Sequence, residues 1–326
     1  MTPVLAPAAS NDQMPPLLHI AQQVGMGLEK FLIRGIHMDN LRGAILMVLS
    51  MLGFAIEDMF IKLMGSEIPI GQIIFILGVG GSLCFGSVMV AKKQPLFERA
   101  MLTPPIVLRA LGEIIGTLGF VSAIVLTPIS SASAILQATP LVVTLGAALF
   151  LGDPVGWRRW SAILVGLFGV ILIIRPGMES FQALSLLAVL GVFGLSLRDL
   201  ATRRVPKSTS SFQLSFLAFA ALIPASLVYM LGTGTSFTPM TGLQCAFMGA
   251  ALAIGMVAYY GIVAAMRVGE ISFVTPFRYT RLLFAMVVGI TIFGERPDML
   301  TYVGATIIVA SGIYTVWRER KVKLEG

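Results

Sequence analysis

The chain has 326 residues, of which 56% are hydrophobic and only 12% charged, and its mean hydropathy is +0.90. A soluble domain of this size carries about twice that share of charge, so composition excludes a water-soluble globule and points to a polytopic helical membrane protein. The formal net charge of +7 does not indicate nucleic acid, because the basic residues stand at the ends of apolar segments, where the positive-inside rule puts them.

Residues 1–38 are rich in Pro, Ala and Gln and hold no continuous apolar run ahead of a small-residue cleavage site. No signal peptide is expected there; the stretch reads as a disordered cytoplasmic extension, with Met38 of "MDNLRG" as an alternative start. Ten apolar spans follow, at about 41–63, 69–91, 104–126, 130–151, 158–175, 183–203, 211–232, 242–266, 271–293 and 299–317, and then a basic cytoplasmic tail, 318–326. In the first span, "SMLGFAIEDMFIKLMG" (Ser50–Gly65) sets Glu57 beside Asp58, where each charge costs about 2.5–3.5 kcal/mol near the bilayer centre. Asp58 and Lys62, four apart with the acid first, read as an ion pair on one helix face. Glu57 lies about 100° round the helix, over Gly53, and is expected to face a cavity.

The third span carries a second pair of this spacing, Arg109 and Glu113, and the fourth carries Gln137. In the sixth, "LRDLATR" brings Arg198, Asp199 and Arg203, so that Asp199–Arg203 repeats the first span's pair. Each pair reads either as a gate or as charge neutralised near a helix end. Tyr259 and Tyr260 in the eighth span are further polar candidates. The ninth span, "TPFRYTRLLFA", places Arg278 and Arg281 on one side with Tyr279 between them. Arginines are too costly to face lipid; their forked donors and stacking plane suit a clamp for a planar or anionic group, or they neutralise Glu57 and Glu113. Both histidines precede the first span, and Cys84 and Cys245 sit in spans without CxxC spacing, so no metal site or disulfide is expected.

With the N-terminus inside, sixteen Lys and Arg fall in cytoplasmic segments and three, Lys62, Arg175 and Arg296, in outer loops. That asymmetry places both ends in the cytoplasm. Setting "GFAIEDMFIKLMGSEIPIGQ" (Gly53–Gln72) above "GLSLRDLATRRVPKSTSSFQ" (Gly194–Gln213) aligns Gly, Asp, basic and Gln positions at an offset of 141. "FLGD" (Phe150–Asp153) meets "IFGE" (Ile292–Glu295) at 142, and Arg175 meets Arg318 at 143. The chain is a duplication, and an odd number of spans per half inverts one half against the other, as in secondary transporters. In this register Glu57 faces Arg198, a divergence expected of a substrate site.

Ten short spans and half-repeats ending in "LFLGDPVGWRRWSAILVGLFGVILIIRPG" and "TIFGERPDMLTYVGATIIVASGIYTVW" resemble the drug/metabolite transporter superfamily, EamA family, over residues 41–317. The pattern of Phe54, Ala55, Asp58, Lys62 and Gln72 is similar to a branch holding bacterial riboflavin importers and S-adenosylmethionine uptake carriers. The resemblance implies an all-α integral membrane fold of ten helices in two inverted five-helix repeats, 41–175 and 183–317. It also implies a carrier in the bacterial inner membrane with no cofactor and no covalent chemistry. Riboflavin or a similar planar heteroaromatic is the expected substrate; S-adenosylmethionine, or export of amino acids or drugs, is the alternative. A membrane-embedded enzyme lacks its machinery in these spans, which hold no histidine, Ser-x-x-Lys pair or Asp-rich loop, and a channel fits the balanced internal charge less well. The expected substrate-binding residues are Glu57, Arg198, Arg278, Arg281, Tyr279, Arg109, Glu113, Gln137 and Tyr259, with Asp58, Lys62, Asp199 and Arg203 as gate or structural pairs. A small molecule and the bilayer are the expected partners, nucleic acid is not, and a homodimer is left open.

Overall fold

The computed structural model describes residues 16–96, 103–153, 155–178, 181–206, 208–268 and 270–325, with side chains described for all of these except 16–37, 267, 271–272 and 319–325. Among them every regular element is helical: α1 (Pro16–Met64), α2 (Ile70–Ala91), α3 (Pro104–Leu126), α4 (Ile129–Leu136), α5 (Thr139–Gly146), α6 (Trp157–Ile174), α7 (Leu186–Thr202), α8 (Ser211–Thr233), α9 (Gly242–Val268), α10 (Ile271–Val274), α11 (Thr280–Ile292) and α12 (Met299–Glu325). Among the described residues, nine helical stretches are long and apolar enough to cross a membrane. The long apolar runs make helices because lipid offers no partner for a free backbone N–H or C=O.

Two of the expected spans are broken inside. The fourth is α4 and α5, parted at Gln137 and Ala138 ahead of Pro140, and α5 runs on as a π-turn over Ala147–Leu151. The ninth is α10, a 3-10 turn over Thr275–Tyr279 containing Pro276, and then α11. Proline supplies no N–H to the ladder and crowds the preceding turn, so both breaks sit where the sequence places one. The N-terminal stretch expected to be disordered enters α1 at Pro16; its Leu, Ala, Gln, Met, Glu and Lys are good helix formers. Residues 1–15 of that stretch lie outside the described residues.

Helices pair closely through small residues. α3 packs along α7, α1 along α9, α2 along α8 and α6 along α12. At the α3–α7 seam a Cβ on Gly112 would stand 2.5 Å from the Arg198 nitrogen, and one on Gly119 would stand 2.6 Å from that of Gly191. The α1–α9 seam uses Gly53 against Ala258, where an added Cβ would meet the alanine methyl at 2.9 Å. Such contacts let backbones approach and gain dispersion in a medium that supplies no hydrophobic drive. At the start of α8, Ser210 and Gln213 form a reciprocal cap, with Oγ accepting from the Gln213 N–H at 3.2 Å and Oε1 from the Ser210 N–H at 2.8 Å. The main core lies among α2, α3, α4 and α6, around Ile73, Ile124, Ile129 and Ile135.

Candidate functional site

The two breaks carry polar residues into the centre, where α1, α3, α7 and α11 meet. Asp58 on α1 is 3% exposed, and its Oδ2 accepts from Arg281 in the first turn of α11, at 2.7 Å from Nη2 and 3.2 Å from Nε. The guanidinium carbon is 5.1 Å from the ring centres of both Phe54 and Phe120, so two aromatic faces and one carboxylate hold the charge. Across the interior, Arg198 on α7 reaches Glu113 of α3 at 3.3 Å and Asp199 at 2.8 Å. Arg109 donates from Nη1 to the Leu214 carbonyl of α8 at 2.9 Å, while its buried Nε has no partner among the described residues. Tyr259 shares a 2.7 Å hydrogen bond with Ser215 and packs edge-on against Phe85.

The three i,i+4 pairs expected from spacing do not form. Lys62 turns from Asp58 to the C-terminal end of α3, donating to Ile124 O at 2.8 Å and Thr127 O at 2.6 Å, with Glu295 at 3.8 Å. The last carbonyls of a helix lack intrahelical donors, and a lysine near the end of α1 can satisfy them. Asp199 is taken by its neighbour Arg198, and Arg203 instead reaches Asp153 at 2.8 Å. Arg109 and Glu113 part to α8 and α7 respectively, because cross-helix partners are nearer than a same-face one.

Nor do the Arg–Tyr–Arg residues form one clamp. Tyr279 is 5% exposed, and its hydroxyl fills the space over Gly312 of α12. Arg281 is committed to Asp58. Arg278 interacts electrostatically with Asp199 and Arg198 but, among the described residues, makes no hydrogen bond or ion pair. Gln137 follows the last residue of α4 with its Nε2 buried and without a partner among the described residues, and Tyr260 is 70% exposed on α9.

Glu57 is a further ionisable group outside these pairs. It does not use the space at Gly53, which α9 occupies; its carboxylate lies one turn along the seam, over Gly255, where a Cβ would stand 2.5 Å from Oε1. Among the described residues it has no hydrogen-bond or ion-pair partner, only Asp58 and Arg281 as electrostatic neighbours. Among the described residues the interior therefore holds two ion-paired knots, Asp58–Arg281 and Glu113–Arg198–Asp199, and three ionisable groups outside them: Glu57, Arg278 and Arg109, the last bonded only to the Leu214 carbonyl.

Sequence reasoning overlooked Phe54 and Phe120 as partners of Arg281, and Glu295 and Asp153 as the carboxylates opposite Lys62 and Arg203. The "FLGD" and "IFGE" alignment contained the last two, read only as a mark of duplication. Among the described residues no group of three or more His, Cys, Asp or Glu is placed to hold a metal, and Cys84 and Cys245 are both free thiols. A groove of about 310 Å3 bounded by Pro276, Phe277, Leu282, Val309 and Ile313 is apolar, and none of the interior charges lines it.

Residues 41–175 match the EamA-like transporter family. The chain is 22% identical over 288 residues to a protein of Rickettsia prowazekii named S-adenosylmethionine uptake transporter, covering 86% of this chain and 94% of that one. It is 29% identical over 199 residues to a riboflavin transporter of Vibrio cholerae, covering 61% of this chain and 66% of the relative. A solved crystal structure superposes with a TM-score of 0.55 at 17% identity over 86% of this chain and 97% of the other, a likeness of fold alone. Apolar helices, internal knots of charge and the family match agree: this is a multi-pass membrane protein whose residues 41–175 match the EamA-like transporter family.

Proposed function

We propose that the chain is a secondary carrier for a small organic metabolite bearing both a cationic and an anionic group, with S-adenosylmethionine as the first compound to test. The observation that carries this reading is that two interior ionisable groups of opposite kind, Glu57 and Arg278, make no hydrogen bond or ion pair among the described residues. An uncompensated charge in a span costs about 2.5–3.5 kcal/mol, and a substrate with an ammonium or sulfonium at one end and a carboxylate at the other would neutralise both. The name of the Rickettsia relative agrees with that chemistry. A planar, uncharged substrate of the riboflavin type is the second reading, favoured by the Phe54 and Phe120 faces around Arg281 and by the Vibrio relative's name.

The reading includes ten spans in two inverted halves with both ends cytoplasmic, and several observations support it. The contact α3–α7 exchanges with α1–α9 when the halves are swapped, while α2–α8 and α6–α12 map onto themselves. Both broken spans fail at aligned positions, Gln137 and Tyr279. Gly152 and Gly294 occupy the left-handed region at φ 72° and 62° in the paired "FLGD" and "IFGE" loops. Such a pair of inverted halves would rock about a central site.

The test is uptake by the purified protein in liposomes, with labelled S-adenosylmethionine and riboflavin as alternative substrates. Saturable S-adenosylmethionine uptake is expected, falling tenfold or more, roughly a charged hydrogen bond's worth, in Glu57→Gln. Gly255→Ala, which pushes a methyl into the carboxylate's place, should lose uptake similarly. Riboflavin uptake without S-adenosylmethionine uptake, together with an unaffected Glu57→Gln, would overturn the substrate class.

A further inference from the structure

Two ion pairs at opposite ends of the molecule occupy equivalent positions in the duplication yet differ in state. Lys62 and Glu295 are one pair; at offsets of 141 and 142 they correspond to Arg203 and Asp153, the other. The loops that carry the acids are folded alike. Each glycine before the acid is left-handed, and each acid's N–H returns to an equivalent carbonyl: Glu295 to Gly289 at 2.9 Å, Asp153 to Ala147 at 3.2 Å. The difference lies in what the carboxylates do. Glu295 crosses to the other half and caps α4, accepting from the Ile129 N–H at 2.6 Å, the Ser130 N–H at 3.0 Å and the Ser130 hydroxyl at 2.6 Å. Lys62 closes the same junction on the α3 carbonyls, and the two side chains are only 14% and 10% exposed. Asp153 and Arg203, 2.8 Å apart, are 47% and 50% exposed. The sequence equivalent of the capped "PIS" (Pro128–Ser130) is "EIS" (Glu270–Ser272), at the start of α10.

We propose that Lys62–Glu295 and Arg203–Asp153 are the two gates of one cycle, and that the protein is seen with the first shut and the second open. In the opposite state Asp153 accepts from the backbone N–H groups of Ile271 and Ser272, as Glu295 now does from Ile129 and Ser130, while Glu295 releases α4 and stands in water with Lys62. Each conversion exchanges one capped helix start for another, so forming the second cap offsets part of the cost of releasing the first, and a substrate that prefers one state can move the population toward it. Charge-assisted caps suit this role because they are strong when dry and cheap to replace by water when wet.

The proposal rests on the reading of the chain as a two-halved carrier, and its test reads backbone amides rather than transport, so a wrong substrate leaves it standing. Hydrogen–deuterium exchange would be followed in the purified full chain, in lipid nanodiscs without ligand, at 129–130 and 271–272. Glu295→Gln should raise exchange at 129–130 on the order of tenfold and, 142 residues away, lower it at 271–272. Asp153→Asn, at an exposed position that threatens folding little, should do the reverse, slowing 129–130. A Glu295→Gln protein that changes only at 129–130 would be a plain helix cap and would overturn the proposal. So would an Asp153→Asn protein whose 129–130 amides exchange as in the wild type.

Discussion

Removing either partner of the Asp58–Arg281 pair should destabilise the protein severely, and removing both should be no worse than removing one. Asp58 is 3% exposed and receives two hydrogen bonds on one oxygen, while Arg281 is held between two phenylalanine faces. Breaking a buried pair from one side leaves an uncompensated charge and costs about 3–5 kcal/mol. At about 2–4 °C per kcal/mol, the lower bound of 3 kcal/mol is a fall of about 6–12 °C in melting temperature for Asp58→Asn or Arg281→Gln. Melts by tryptophan fluorescence in one detergent at one scan rate would read it, since unfolding of such a protein is governed by rate as well as equilibrium. In a double-mutant cycle the two changes should couple by roughly 2 kcal/mol or more. The same cycle on Asp58→Asn and Lys62→Met should be near additive, because Lys62 serves the α3 carbonyls and Glu295. Additivity between Asp58 and Arg281, with coupling between Asp58 and Lys62, would refute the assignment and restore the spacing-based pair.

Two further outcomes concern the helix seams and the start of α12. Gly194→Ala sets a Cβ against the Gly116 backbone nitrogen, which cannot move without parting α3 from α7, whereas Gly53→Ala meets only the Ala258 methyl at 2.9 Å. The first should cost about 1–3 kcal/mol or more by overpacking, and its melting temperature should fall clearly further than that of the second; equal melts would contradict the seam geometry. Asp298 caps α12 through the Thr301 N–H at 3.1 Å and hydroxyl at 2.8 Å, and also accepts from Arg175. The Arg175 hydrogen bond above all holds its carboxyl down to about 2 from an ordinary 3.8, with Thr301 adding to it. A carboxylate depressed in the folded state contributes stability above its unfolded value and loses it as pH falls through the folded one. The wild type should thus lose melting temperature relative to Asp298→Asn between about pH 4 and pH 2, by a small amount because the group is half exposed. Parallel melting curves across that window would deny the contribution.

Span positions were legible because an apolar run of membrane length has one backbone solution in lipid, the helix. α3 at Pro104–Leu126 coincides with the expected 104–126, and α2 and α8 lie within two residues of expectation. The interior breaks were less legible: Pro140 and Pro276 were visible, but whether a proline kinks, parts or merely starts a helix depends on which neighbours take up the freed groups. Partner choice was the least legible property of the site. Spacing of four on a helix says that Asp58 and Lys62 can meet, and nothing about the competitors that another helix brings closer. Arg281, 223 residues away, and the spare carbonyls at the end of α3 outbid the local pairing on both sides.

What the sequence determined by itself was the medium, the helices and the inventory of charge, with four acidic residues in the spans and four arginines, Arg109, Arg198, Arg278 and Arg281, set in from the span ends. Tertiary structure alone decided who pairs with whom, and therefore which charges are left over. Among the described residues Glu57 faces Gly255 without a hydrogen-bond or ion-pair partner, and Arg278 has Asp199 only as an electrostatic neighbour because Arg198 already binds it, since burial makes each ion seek the nearest complete set of donors or acceptors rather than the nearest in the chain. It also decided that two ion pairs of like composition differ in depth, one buried and one half exposed, which is a property of how the helices pack and not of the residues that compose them.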